Sequence, residues 1–165
     1  MDDSEINSTP VTRYLDERGI PYHFFRHSGV VHSLEQAARE RGQRPEQIIR
    51  SIVFRISKGG YVMVLVAGDR QVSWHALRHH LGTSRISMAS VAQVRQVTGY
   101  PIGAVSPFGI AQPLRILMDR DVLQEAEISV GSGVRYTTVI MQREDFMRAL
   151  GEVEIGDFAM PDEPA

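Results

Sequence analysis

Residues 98–109 constrain the fold of this chain more than any other segment. They hold three glycines and two prolines in an otherwise apolar stretch. Gly103 permits a positive φ or the close approach of another backbone, whereas Pro107 lacks an amide hydrogen and has a fixed φ. Such a segment predicts a loop whose remaining amides converge on an anion or a polarised carbonyl. The alternative is an ordinary buried turn between two strands, because glycine and proline are also the commonest turn residues.

The composition favours one globular domain. The chain has 165 residues, of which 42% are hydrophobic and 23% are charged, and this is enough for one sizeable core. The absence of cysteine excludes disulfides, Cys-ligated zinc and a thiol nucleophile. No apolar run approaches the roughly 18 residues of a membrane span, and the acidic N-terminus does not resemble a secretory signal. We therefore expect a cytoplasmic protein without a membrane partner.

Arginine carries nearly all of the positive charge. The formal net charge of −2 argues against a general nucleic-acid coat, and Lys58 is the one lysine among 18 basic residues. Six of these basic residues nevertheless lie within residues 39–58. A local cluster of this kind binds phosphate in some proteins and forms a solvated helix face in others, and charge alone leaves both interpretations open.

Local signals predict a mixed α+β fold with some seven strands. Two apolar segments, 49–56 and 61–67, flank Ser-Lys-Gly-Gly and predict the clearest hairpin of the chain. Ser or Thr residues before amphipathic segments, and glycines after them, predict four or five helices. The helices are expected over residues 9–19, 33–42, 73–81, 90–99 and 143–150, and further strands over 22–27, 114–118, 127–130 and 136–142. The folded domain is expected to span residues 8–155, between flexible tails at 1–7 and 156–165.

Three other patterns suggest sites but have simpler interpretations. His75 and His79 share one face of a predicted helix, yet no third ligand is indicated nearby, so we expect a solvated face and no metal site. Ser106 lies outside a Gly-x-Ser-x-Gly motif, and no sequence feature assigns it a base. Residues 131–133 (GSG) lie between two strands and predict a tight turn rather than a dinucleotide site.

Several motifs occur together in a familiar order. They are residues 45–54 (PEQIIRSIVF), 68–72 (GDRQV), 98–100 (TGY), 103–109 (GAVSPFG) and 131–133 (GSG). As an ordered set they make the chain resemble the YbaK and prolyl-tRNA-synthetase-associated editing domain over roughly residues 8–155. The resemblance implies a single domain with a mixed, barrel-like sheet flanked by helices. It also implies a free-standing enzyme that acts in trans on mischarged aminoacyl-tRNA, typically Cys or Ala esterified to proline tRNA. We expect no cofactor.

Ester hydrolysis needs donors for the developing oxyanion, a positioned water and the exclusion of bulk solvent. The resemblance implies that no side-chain nucleophile is needed and that the substrate's own ribose hydroxyl takes part, which fits a chain without a convincing triad. The predicted catalytic residues are Gly103 and Pro107 of the loop, and Arg50, which stands where the family has a lysine. The predicted substrate-binding residues belong to the loop, to the pocket walls and to the turn after residue 131. They are Val30, His32, Ala104, Val105, Ser106, Phe108, Gly109, Ser132, Gly133 and Arg135.

Arg50 is the main departure from the family pattern, and Ala104 is a second, because family members often carry another glycine there. Arginine presents a planar fork where lysine offers a compact charge, so the two are not interchangeable in a tight site. If Arg50 only reflects the general use of arginine in this chain, we expect a working deacylase. The alternative is an inactive module of the same fold that binds tRNA ends or another nucleotide-bearing ligand.

The expected partner is mischarged tRNA, with transient contact to prolyl-tRNA synthetase or another synthetase. We expect a monomer or a weak dimer. We also expect Arg50→Ala to reduce deacylation strongly while leaving the fold intact.

Overall fold

The computed structural model describes residues 7–57 and 59–161. Within these residues the chain forms five α-helices and eight strands. The helices are α1 (Pro10–Glu17), α2 (Leu34–Arg41), α3 (Trp74–Leu81), α4 (Val91–Thr98) and α5 (Arg143–Leu150), with short 3-10 helices at Pro45–Gln47 and Arg120–Gln124. The strands are β1 (His23–Arg26), β2 (Ile49–Ile56), β3 (Gly60–Ala67), β4 (Ile86–Met88), β5 (Arg115–Asp119), β6 (Glu127–Gly131), β7 (Thr137–Gln142) and β8 (Glu154–Gly156).

The strands form two sheets, and the α+β prediction is confirmed. One sheet has the order β1-β7-β6 and is antiparallel, and the other has the order β4-β2-β3-β5-β8 and is mixed. An isolated parallel bridge between Ile48 and Ser129 is where the two sheets meet. The barrel-like description is not confirmed, because the sheets of the described chain stay open. The physical reason is that β4 pairs only with the last three residues of β2, from Phe54 to Ile56, so the first half of β2 has a free edge beside β6.

The core lies on both faces of the five-stranded sheet. Side chains alternate along β2, so Ile49 and Val53 belong to a first core cluster that also contains residues of the three-stranded sheet. Phe54 belongs to a second cluster on the opposite face, which is closed by Leu77 of α3 and by Phe158. The first face is the one that holds the candidate site.

The predicted helix ends agree with the structure at several positions. The side chains of Ser33, Ser73 and Ser90 accept hydrogen bonds from amides of the first helical turn. Gly42 and Gly82 end α2 and α3 in the left-handed conformation. The structure adds the short strands β4 and β8, whose three residues each are too few for a clear alternating pattern. In the described part of the chain, no helix is long and apolar enough to cross a membrane.

The C-terminal region packs against the five-stranded sheet. Residues 156–165 are predicted as a flexible tail, yet Phe158 is only 2% exposed and its amide donates a hydrogen bond to Asp119 Oδ1 at 2.8 Å. The packed structure therefore extends beyond residue 155. Residues 1–6 and 162–165, which make up most of the predicted N-terminal tail and the end of the C-terminal one, lie outside the described residues.

Candidate functional site

A partly open cavity of about 250 Å³ lies where the two sheets meet, and we call it the inner cavity. Its walls come from the first half of β2, from the adjoining ends of β6 and β7, and from the loop after α4. A wider and more open depression of about 580 Å³, the vestibule, adjoins it. The two spaces share five lining residues, which are Arg41, Ile48, Ile102, Gly103 and Thr137. The vestibule and the inner cavity are therefore adjacent.

Gly131 allows the loop to close one side of the inner cavity. A Cβ built on Gly131 would lie 2.1 Å from the carbonyl oxygen of Val105 and 2.9 Å from that of Ala104. Both obstacles are backbone atoms, which cannot move aside as a flexible side chain could. Glycine at residue 131 is therefore required for the loop to lie directly against the end of β6.

Tyr100 holds the other end of the same loop. Its hydroxyl lies 2.5 Å from the carbonyl oxygen of Phe108 and 2.9 Å from that of Gly109. A Cβ on Gly133 would come within 2.9 Å of the Tyr100 ring, so the turn after β6 also needs its glycine. Burial raises the pKa of Tyr100 to about 12, so the hydroxyl keeps its proton at neutral pH.

The first half of the loop faces the inner cavity. Gly103 and Val105 line it, and Gly103 has a φ of 95° that favours glycine. Ala104 is buried between them, with its amide bonded to the carbonyl of Pro101 and its carbonyl accepting from the amide of Gly133. Among the described residues, the amides of Gly103 and Val105 have no acceptor. These two amides are candidates for the backbone donors that the sequence predicts for the loop, and that role stays a prediction.

The second half of the loop turns into the core instead. Ser106 is buried, and its hydroxyl accepts a hydrogen bond from the amide of Phe108 at 3.2 Å. The Phe108 ring stacks on Tyr14 with ring centroids 5.5 Å apart. Pro107 and Gly109 border a different surface depression. The structure thus separates these four predicted site residues from the inner cavity.

Arg50 lies at the border of the inner cavity, but its guanidinium is engaged elsewhere. Nε donates to the carbonyl of Gly68 at 2.7 Å, and Nη2 donates to the carbonyl of Arg70. Because side chains alternate along β2, Arg50 shares its face with Phe54 rather than with Val53. Burial lowers the pKa of Arg50. These contacts tie β2 to the loop after β3, and a catalytic role for Arg50 stays a prediction.

The remaining predicted residues lie around the vestibule or away from it. His32 and Arg135 line the vestibule, and Arg135 Nε donates to the carbonyl of Ile102 at 3.2 Å. Val30 is 55% exposed and lines neither space. Ser132 is buried and lines neither the inner cavity nor the vestibule, and its hydroxyl contacts that of Thr137.

Arg41 is the site residue that sequence reasoning missed. It stands in the last turn of α2, and the sequence marked it only as one member of a basic cluster. Its Nε donates to His27 Nε2 at 3.1 Å, and its Nη1 donates to Ser129 Oγ at 3.0 Å. On the other side of the same imidazole, His27 Nδ1 lies 2.9 Å from Glu40 Oε1. Burial lowers the pKa of Arg41 to about 10, so the guanidinium is still charged at neutral pH.

Ser51 adds an unsatisfied hydroxyl to the same place. It lies on the same face of β2 as Ile49 and Val53 and lines the inner cavity. Its Oγ is buried and has no hydrogen-bond partner among the described residues. Since buried polar groups are normally paired, this unpaired hydroxyl is an exception in the wall of the cavity.

Within residues 7–57 and 59–161, no three His, Cys, Asp or Glu side chains are grouped as metal ligands. His75 and His79 border a separate depression on the surface of α3. The residues that line the inner cavity include Arg41, Ser51, Gly103 and Val105.

Comparison with known proteins identifies the family. The family model described as aminoacyl-tRNA editing domain matches residues 28–149, which is more than half of the chain. The chain belongs to the aminoacyl-tRNA editing domain family. The matched range contains α2, β2, the loop after α4 and β6, so it includes every wall of the inner cavity.

Editing-domain relatives occur both alone and within larger enzymes. The multifunctional Ser/Thr-tRNA deacylase ProXp-y of Escherichia coli strain K12 is 27% identical over 148 residues, which cover 87% of each protein. A proline–tRNA ligase of Thermosipho melanesiensis is 30% identical over 121 residues, which cover 72% of this chain and 21% of the ligase. The chain thus spans about a fifth of the length of the ligases that it matches.

A solved structure agrees with the editing-domain fold along nearly the whole chain. A crystal structure of a candidate trans-editing enzyme for prolyl tRNA synthetase superposes with a TM-score of 0.84 and 24% identity, and it covers 98% of this chain and 99% of its own. At this identity the likeness shows the fold alone.

Proposed function

We propose that the protein is a trans-acting aminoacyl-tRNA deacylase that hydrolyses the ester bond of mischarged tRNA. The observation that carries the proposal is the inner cavity, which Gly103 and Val105, whose amides have no acceptor among the described residues, help to line in a chain of the editing-domain family. The deacylase of Escherichia coli, which matches this chain over most of both lengths, supports an activity that needs no attached synthetase.

The proposed reaction adds water across the ester. The carbonyl carbon of the aminoacyl group accepts an oxygen, the carbonyl oxygen gains negative charge, and the tRNA leaves with a free ribose hydroxyl. The amides of Gly103 and Val105 donate to the developing oxyanion, which is the type of stabilisation that contributes most to acyl transfer. The apolar walls formed by Ile49, Val53 and Val130 keep bulk solvent away. No side chain needs to act as nucleophile, since the substrate's ribose hydroxyl orients or activates the water.

The vestibule suits the terminal nucleotide of the tRNA. His32, Arg135 and Arg41 line it and offer positive or hydrogen-bonding groups to a ribose and a phosphate. The aminoacyl group then points through the shared opening into the inner cavity. This placement uses Gly103 at the junction of the two spaces, where the ester would lie.

The substrates proposed from the resemblance are Cys or Ala on proline tRNA, and prolyl-tRNA synthetase is the proposed transient partner in the cytoplasm. The related deacylase named for Ser and Thr adds these two amino acids to the test.

The experiment incubates the purified protein with proline, alanine and threonine tRNAs, each charged with Cys, Ala, Ser, Thr or its cognate amino acid. Released amino acid is measured over time. We expect turnover of at least one mischarged tRNA and none of cognate prolyl-tRNA.

The test variant is Val105→Pro, which removes one of the two amides at a position without a positive φ, and the control is Gly29→Ala, which changes an exposed glycine with open space around it. Hydrolysis should fall in the first variant and stay unchanged in the second. Binding of tRNA without turnover across the whole panel would instead support the inactive binding module of the same fold.

A further inference from the structure

Tyr136 has a backbone conformation that a bulky residue rarely adopts. Among the residues that the structure describes, it is the one residue other than glycine with a positive φ, at 64°. Glycine, asparagine and aspartate are the usual residues in this left-handed region, and an aromatic side chain there is an outlier. Such outliers persist only where the surrounding structure holds them, and they are concentrated at binding and active sites. The conformation therefore directs attention to what the side chain of Tyr136 does.

Hydrogen bonds on both sides of Tyr136 hold its backbone in place. The amide of His27 donates to the carbonyl oxygen of Tyr136 at 2.8 Å, directly beside the paired residues Arg26 and Thr137 of strands β1 and β7. Thr137 Oγ1 donates to the carbonyl oxygen of Val134 at 2.6 Å, across the turn that precedes β7. The direction in which the side chain of Tyr136 leaves the backbone is thus fixed by the three-stranded sheet and its turn.

No polar or aromatic contact of the fold explains a tyrosine at this position. The side chain of Tyr136 is 42% exposed, and the residue lines the vestibule. Within the described chain, its hydroxyl has no hydrogen-bond partner and its ring contacts no other ring. The hydroxyls of Tyr14 and Tyr100, in contrast, each bond to a main-chain carbonyl. The ring of Tyr136 is therefore accessible to a ligand in the vestibule.

The other residues of the vestibule suit a nucleotide. Val31, Leu34 and Ile102 give the space an apolar lining, and Arg135, the residue before Tyr136, adds a cation. Nucleobases stack on aromatic rings, whereas arginine pairs with phosphate. An accessible ring next to an arginine, over an apolar lining, is thus the arrangement expected for a base that is joined to a phosphate.

We infer that the ring of Tyr136 is a stacking platform for the terminal nucleobase of the tRNA. This inference rests on the proposed deacylase function and assigns the base of the substrate to one side chain. Since tRNAs share the same terminal adenosine, the stack strengthens the binding of every aminoacyl-tRNA and selects no amino acid. The base is remote from the ester that reacts, so the contact is the same before and during the reaction. Its loss belongs in KM and not in kcat.

The first test compares two probes that differ only by the base. AMP and ribose 5-phosphate share the ribose and the phosphate. Each is titrated against the free protein by NMR chemical shifts, which needs no turnover, and each is tested as a competitive inhibitor of deacylation. We expect AMP to bind at least tenfold more tightly than ribose 5-phosphate, which is the size of effect typical of one base stacked on an aromatic side chain.

Tyr136→Asn removes the ring and keeps a residue that tolerates the left-handed conformation. We expect the preference for AMP to fall to about one, and KM for aminoacyl-tRNA to rise about tenfold with kcat changed by less than about threefold. The midpoint of urea unfolding should be no lower than that of the wild type, a combination that a purely structural role of the ring would not produce. Tyr136→Phe keeps the ring and should restore the preference for AMP.

Val134→Ala is the matched control. Val134 precedes the same strand and is 44% exposed, but it lines neither the vestibule nor the inner cavity. The substitution keeps the main-chain carbonyl that Thr137 contacts. It should leave both KM and the preference for AMP at their wild-type values.

The outcomes separate this inference from the proposed function. A protein that binds AMP more tightly than ribose 5-phosphate but releases no amino acid from any tRNA contradicts the proposed function and supports the stacking of a base. A wild-type protein that binds the two probes equally overturns the inference, whether or not it is a deacylase. A Tyr136→Asn protein that loses the preference for AMP but keeps the wild-type KM also overturns it, because the ring would then bind a free nucleotide and not the tRNA end.

Discussion

At the scale of one residue, the shape of the inner cavity depends on the lack of a Cβ atom at Gly131. Its backbone has an ordinary φ, so its need for glycine comes from space and not from conformation. The carbonyl of Val105 occupies the volume that a Cβ would take, and this contact brings Gly103 and Val105 to the cavity. The position of the loop after α4 is therefore fixed relative to β6 by the backbone contact between Val105 and Gly131.

Gly131→Ala should destabilise the protein by about 1–3 kcal/mol or more, because the added methyl group must displace backbone. Deacylation should fall as well, since the displaced loop carries the proposed oxyanion donors. Urea unfolding and the deacylation assay measure the two effects. Gly29→Ala is the control, because a Cβ there would meet no atom within 4 Å and should change stability by less than about 0.5 kcal/mol. Equal behaviour of the two variants would show that the loop is not held at Gly131.

Arg50→Ala tests whether the predicted catalytic arginine acts on the site. The substitution leaves the carbonyls of Gly68 and Arg70 without their donor, so we expect a loss of about 1–3 kcal/mol in stability and a protein that still folds. Deacylation should fall strongly, because β2 forms one wall of the inner cavity. The control is Arg55→Ala, on the same strand at an exposed position. Wild-type rates in Arg50→Ala would remove Arg50 from the mechanism.

At the scale of elements, helix α2 is joined to the three-stranded sheet through side chains of its last two turns. Gln36 and His27 bond the two oxygens of Glu40, and these hydrogen bonds lower its pKa. Arg41, the next residue, continues the chain of contacts to Ser129 on β6. The helix, β1 and β6 thus share one polar network, and a shift of α2 would move the cation at the entrance of the cavity. The regular spacing of the helix predicts none of this, because the network depends on residues far apart in the chain.

The short strand β8 is attached by charge as well as by backbone pairing. Glu154 accepts two hydrogen bonds from Arg115 on β5, at 2.5 and 2.7 Å, and it lies 3.1 Å from His80 Nε2. The hydrogen bond from Arg115 is the main cause that lowers the pKa of Glu154 to about 2. Both partners are more than a third exposed, so solvent screening limits the contribution of the pair to about 0.5 kcal/mol.

Glu154→Gln should therefore lower the stability at pH 7 by about 0.5 kcal/mol. The folded protein releases the proton of Glu154 more readily than the unfolded chain, whose carboxyl titrates near 4.5. The contribution is complete above that pH and is lost as the pH falls towards 2. Urea unfolding of both proteins at pH 7, 4 and 2 should show a gap that closes with acid, whereas Glu152→Gln, at an exposed residue nearby, should show none. A gap that persists at pH 2 would assign the effect to packing.

At the scale of the whole molecule, the sequence predicts those features of the fold that depend on neighbouring residues alone. The β2–β3 hairpin, the serine caps and the glycine ends of helices depend on neighbouring residues, and the structure contains them. The meeting of the two sheets depends on pairing between residues such as Ile48 and Ser129, which are far apart in sequence. The loop within residues 98–109 is likewise predicted as one unit from its own sequence. In the structure its first half faces the inner cavity and its second half turns into the core. Arg41 could not be singled out, because its role arises only when β6 is placed beside α2.

Phe158 extends the folded unit past the predicted domain end. Its ring packs at the far side of the five-stranded sheet with Val62, Val64 and Leu117, and Asp119 Oδ1 accepts hydrogen bonds from the amides of Phe158 and Ala159. The second core cluster is thus closed by a segment that follows the last strand. This segment is packed against the sheet, and Ala159 forms an isolated bridge with Val72.

Phe158→Ala should cost about 3–5 kcal/mol, because a fully buried ring is lost and the sheet cannot easily close the gap. Met160→Ala is the matched control, since its side chain is 49% exposed and should contribute little. Urea unfolding measures both free energies, and the deacylation assay at low temperature measures the site separately. The cavity lies on the opposite face of the sheet, so the rate per folded molecule should stay near that of the wild type. A Phe158→Ala protein as stable as Met160→Ala would mean that the domain ends near residue 155, as the sequence predicts.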